Sequence, residues 1–83
     1  MPEILPWHVL VLMHAPADAV IAVRPDGWVR VTRRADITAG EAVVYSRTRF
    51  IAEGIVPVPS ALEALTDRLT SRAARLAELE LVA

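Results

Sequence analysis

The stretch 19-AVIAVRPDGWVRVTR-33 decides the fold class. Ala19 to Arg24 opens with five apolar residues and reads as a strand, and the return from Trp28 to Arg33 alternates Trp28, Arg30 and Thr32 with Val29, Val31 and Arg33, the period-2 pattern of a half-buried strand. Arg24-Pro25-Asp26-Gly27-Trp28 joins them. Pro25 presets φ, Asp26 tolerates the turn, and Gly27 takes φ > 0 at no steric cost, so the segment predicts a hairpin turn.

Working outward from the hairpin, Val9 to Met13 is an unbroken apolar run and predicts a strand buried on both faces. His14 to Asp18, with Pro16 inside it, reads as a loop. On the other side, residues 35–41 form a turn that feeds a strand from Ala42 to Ser46, and a further short strand is expected from Arg49 to Ala52. Gly54 interrupts, and Ile55-Val56-Pro57-Val58-Pro59 is extended, its prolines confining it to an edge or a linker.

From Ser60 onward the pattern changes. Ser60-Ala61-Leu62-Glu63 fits a capping box, no Gly or Pro follows, and Ala, Leu, Glu and Arg dominate, which predicts a helix over about residues 61–80. Leu62, Leu65, Leu69, Leu76 and Leu79 are spaced 3, 4, 7 and 3 apart, on one a/d seam with Arg72 at the missing position. Two arrangements satisfy that seam: a coiled coil with another chain, or an amphipathic helix laid on the chain's own sheet. The expected fold is α+β, a small antiparallel sheet or partly open barrel of about four or five short strands followed by one C-terminal amphipathic helix. Residues 1–59 form the β-rich region and 60–83 the helix, together a single domain.

A chain of 83 residues buries a modest core, and small domains commonly add disulfides, a metal or a partner. Cysteine is absent, which removes disulfides and thiolate metal sites and leaves oligomerisation. Hydrophobic residues make up 54% of the sequence and the mean hydropathy is +0.40, which suggests apolar surface left for a partner. The apolar run from Trp7 to Met13 falls far short of the ~20 residues of a spanning helix, and no basic segment precedes it. Neither a signal peptide nor a membrane span is expected, and the protein is placed in the cytoplasm or in an assembly formed there.

No catalytic motif emerges. Lysine is absent, excluding a Walker A motif and a Schiff base, and Ser46, Ser60 and Ser71 lie in no nucleophile-elbow context. His8 and His14, six residues apart in an extended segment, would sit roughly 20 Å apart, too far to share a metal. His14 and Asp18 could form a base and its orienting carboxylate across a loop, although a histidine at a strand end is far more often a packing residue. No enzyme activity, cofactor, metal or small-molecule substrate is expected.

All nine basic residues are arginine. Arg24, Arg30, Arg33, Arg34, Arg47 and Arg49 face only three acids within their window, and Trp28 and Tyr45 lie among them, a mixture of cations and stacking surfaces found in single-strand binders. The overall charge is −1, so no global field draws the chain to nucleic acid. A patch forms only if the strands bring Arg30 and Arg47 to one face. The leading functional expectation is a non-enzymatic structural subunit, such as a small component of a virion or multi-subunit machine, joined to copies of itself or to a larger assembly through Leu62, Leu65, Leu69, Arg72, Leu76 and Leu79. The alternative is an oligomeric nucleic-acid-binding regulator that uses the arginine-rich hairpin.

Overall fold

The computed structural model describes residues 3–82, with side chains described as far as residue 76. The hairpin forms where the sequence places it. Strand β1 (Ala19–Val23) pairs antiparallel with β2 (Val29–Arg33), Ile21 opposite Val31 and Ala22 opposite Arg30. Gly27 N donates to Arg24 O at 2.9 Å to close the turn, Gly27 takes φ 88°, and the Asp26 carboxylate accepts from Trp28 N at 2.9 Å.

Strand β3 (Ala42–Ser46) pairs antiparallel with the other edge of β1, giving the order β2-β1-β3. A bulge falls in this pairing, since Ile21 opposes Tyr45 while Ala22 opposes Val43, leaving Val44 as the extra residue. The sheet is therefore open and has three strands among the described residues, fewer than expected, and no barrel forms.

The two missing strands are helices. Residues 6–13 form helix α1 (Pro6–Met13) instead of a strand over 9–13. Pro6 suits a first helical turn, and the His8 imidazole Nδ1 accepts from Leu5 N at 2.8 Å, satisfying an amide at the helix start. Residues 47–53 form helix α2 (Arg47–Glu53) where a strand over 49–52 was expected. Ser46 Oγ accepts from Arg49 N at 3.1 Å as its N-cap, and Gly54 ends it in the left-handed conformation. Residues 3–58 thus hold two α-helices as well as three strands, where strands alone were expected.

Helix α3 (Pro59–Val82) starts earlier than expected. Pro59 takes the first helical position and Leu62 N donates to Val58 O at 3.0 Å, so Ser60 lies inside the first turn and is not the N-cap. Leu62, Leu65 and Leu69 are buried with Ala73 against Ile21, Val23, Tyr45 and Phe50 of the same chain, with Leu76 half-buried beside them. At these positions the helix takes the second of the two arrangements, laid on the chain's own core. Arg72 is half-exposed, and Leu79 lies outside the residues whose side chains are described.

One sheet face, bearing Ala19, Ile21 and Val23, meets the helices, with Ile4, Val9 and Leu12 of the N-terminal segment in the same core. Thr70 Oγ1 accepts from Ile4 N at 3.0 Å and donates to Ile4 O at 3.2 Å, which fastens that segment to α3. On the other face Val20 and Ala22 are fully buried, beneath the connection from β2 to β3, which opens with a 3-10 turn (Arg34–Asp36). Arg30 closes this cover, its Nη2 2.6 Å from Glu41 Oε1 and 2.9 Å from the Asp36 carbonyl.

Candidate functional site

An open groove of about 470 Å³ lies between α1 and β2. Its walls are Trp7 and Val11 on the helix, Val29 and Val31 on the strand and Trp28 just before it. Both tryptophans of the chain are here and both are largely exposed, Trp7 at 54% and Trp28 at 68%. Leu5, Leu10 and Val11 add further exposed apolar surface on and beside α1. Tryptophan is the side chain most enriched among the dominant anchors of protein interfaces, and clustered exposed apolar surface marks contact sites more than scattered residues do.

The local chemistry explains why α1 is apolar all round. His8, Val9 and Leu12 turn inward, so a helix needing only a core stripe would carry polar residues at Trp7, Leu10 and Val11. It does not. Within the wall, the Trp7 ring lies 3.9 Å from the His8 ring, centroid to centroid, with a 31° tilt. Burial pushes the His8 imidazole below the usual histidine range, and its Nδ1 must be unprotonated to accept from Leu5 N.

The second property of the groove is its edge. Arg24 N donates to Trp28 O at 2.8 Å and Arg34 N to Asp18 O at 3.0 Å. An antiparallel ladder alternates, so Trp28, Arg30, Thr32 and Arg34 spend their backbone bonds on β1 and its flanks, while Val29, Val31 and Arg33 aim theirs away from the sheet. Those outward groups make no backbone hydrogen bond among the described residues. The same Val29 and Val31 send their side chains into the groove.

The arginines expected to form a hairpin patch are dispersed. Arg30 is held by Glu41, Arg33 Nε lies 3.1 Å from the Asp18 carboxylate, and Arg47 Nε donates to Met13 O at 3.4 Å. Arg30 and Arg47 do not share a face, because Arg47 begins a helix on the α1 side while Arg30 lies over the opposite face. Arg24 and Arg34 are exposed. Arg49 joins a different group, with Arg68, Arg72 and Arg75 of α3 around a small pocket of about 180 Å³ beside Tyr45. Glu53 sits at its margin, accepting from the Tyr45 hydroxyl, from Arg68 Nη2 at 2.8 Å and from Arg49 Nε at 3.3 Å. The Tyr45 bond leads the two arginines in holding Glu53 below the usual carboxylate range, and burial pushes the Tyr45 hydroxyl up. The spacing of Arg68, Arg72 and Arg75, four and three apart on a helix, is the signal in the sequence that could have revealed this group.

Asp18 pairs with Arg33, and no hydrogen bond joins His14 to Asp18 among the described residues. The helical path of α1 replaces the extended spacing assumed between His8 and His14, and no group of three metal-ligating side chains occurs among the described residues. No helix among the described residues is long and apolar enough to cross a membrane. Compared with known proteins, the chain matches no family model, no curated protein and no solved structure.

Proposed function

We propose that this protein is a non-enzymatic assembly subunit, a small component of a larger complex formed in the cytoplasm, whose contact surface is the groove between α1 and the free edge of β2. The observation that carries the reading is the placement of both exposed tryptophans beside unspent backbone donors and acceptors. Such a site offers desolvation by large rigid rings and register from main-chain bonds. The contact role expected of the leucine seam moves to this surface, since Leu62, Leu65 and Leu69 are consumed by the core.

A photoreactive residue at position 11 tests it in the cells that make the protein. Adducts should form at Val11 and be scarce at Glu63, an exposed position on α3. Equal yields at the two positions, or none at either, would overturn the reading.

A second reading, polyanion binding, rests on the group of Arg49, Arg68, Arg72 and Arg75 and no longer on the hairpin. Its signature is retention on single-stranded DNA at low salt that falls steeply as salt rises, and that weakens when Arg72 and Arg75 become Ser. Absence of retention at low salt removes it.

A further inference from the structure

We propose that the occupant of the groove is a second copy of this chain, joined by antiparallel pairing of β2 with β2 about a two-fold axis through Val31. The inference rests on the groove being the contact surface and adds the identity of the partner and the register.

The register follows from backbone direction and charge. Two identical antiparallel strands place residue i opposite residue j with i and j summing to an even number, so each possible axis passes through a single position of β2. An axis through Arg30 sets the two Arg30 side chains against each other, and an axis through Thr32 sets Arg30 against Arg34 of the other copy. An axis through Arg33 opposes the two Arg33 side chains, and one through Val29 runs the strands into the Pro25–Gly27 turns. Like charges directly opposite destabilise a strand pair. With the axis through Val31, Val31 faces Val31, Val29 faces Arg33, Arg30 faces Thr32 and Trp28 faces Arg34. No two arginines oppose each other.

This register also uses every outward backbone group of the strand. Val31 exchanges both of its bonds with its mate, and each Val29–Arg33 pair exchanges both of theirs, for six new hydrogen bonds in total on the alternation of the ladder. The helices fit as well. Strands in a sheet lie about 4.8 Å apart, and α1 covers β1 and β2 together, so the two α1 helices come to lie roughly 10 Å apart across the axis, the spacing of packed helices. Trp7 and Val11 of each copy then fill the groove from both sides. The result is a continuous six-stranded sheet with the exposed Trp7 and Val11 of both copies gathered at its axis.

The cysteine-free chain makes the register directly testable. Val31→Cys introduces a lone thiol whose mate lies about 5.5 Å away, Cα to Cα, within disulfide reach. Val29→Cys, on the same wall, places its mate about 13 Å away. Mild oxidation should cross-link Val31→Cys on the order of tenfold faster than Val29→Cys, with circular dichroism confirming that both fold. Sedimentation of the unaltered protein should give twice the chain mass, Thr32→Arg should weaken the dimer by a few-fold to about tenfold by facing Arg30, and Thr32→Glu should tighten it. Equal cross-linking of the two cysteine variants, or a single-chain mass at every concentration, overturns self-pairing. A single-chain mass together with Val11 adducts to some other protein would overturn it while leaving the contact surface itself standing.

Discussion

Glu41 carries more of the molecule than its place in a loop suggests. Its carboxylate receives Arg30 Nε at 2.8 Å and Nη2 at 2.6 Å, and also Thr38 N at 2.8 Å and Thr38 Oγ1 at 2.7 Å, so one side chain ties the β2–β3 connection to the sheet. The Arg30 bonds first, and the Thr38 bonds after them, hold its pKa down to about 2 from an ordinary value of 4.5. A carboxyl whose pKa is depressed by folding contributes stability that is complete above its ordinary pKa and is lost as pH falls toward the folded value. Stability should therefore decline from 4.5 down to about 2, and Glu41→Gln should remove much of that slope. His8 acts at a higher pH with the same sign. Burial lowers its pKa, so its contribution is complete above 6.5 and diminishes as pH falls below it, since the unfolded chain takes up a proton that the folded one resists. Urea denaturation across the acid range checks both, and a flat profile would contradict them. These two effects were not legible in the sequence, because the Arg30 partner of Glu41 and the burial of His8 depend on chain segments that meet only in the fold.

At the scale of elements, the hairpin and β3 could be read in advance because their signals are local: Pro25-Asp26-Gly27 sets the turn, and period-2 alternation sets β2. Helix α1 could not, because an apolar run has no periodicity to distinguish a buried strand from a helix whose outer face is apolar too. Its deviation from amphipathic patterning was itself the mark of the groove. For α2 the signals existed and lay at its ends, in Ser46 as a cap and Gly54 as a terminator, while Phe50 and Ile51 suggested a strand. The leucine spacing of α3 was plain, but heptad spacing alone does not say which surface it meets, and here it meets Tyr45 and Phe50 of its own chain. Leu69 is 2% exposed in that core, so Leu69→Ala should cost roughly 2 to 5 kcal/mol of folding stability. Denaturation followed by circular dichroism should show helix and sheet signals lost together at lower denaturant, without a prior change in mass. A stable fold with altered association would return the seam to a partner.

For the whole molecule, the two sheet edges differ. β2 is regular and carries its unspent groups in register, whereas β3 is kinked by the bulge at Val44 and passes at Ser46 directly into α2. A bulged strand that twists out of plane and ends in a helix is a poor template for another strand. Pairing through β2 uses up the competent edge on both copies at once and leaves only the two β3 edges outermost. In the proposed pairing the bulge would act as a chain terminator: it leaves no regular edge on β3 for a further strand, which denies the sheet the head-to-tail step from which fibres propagate.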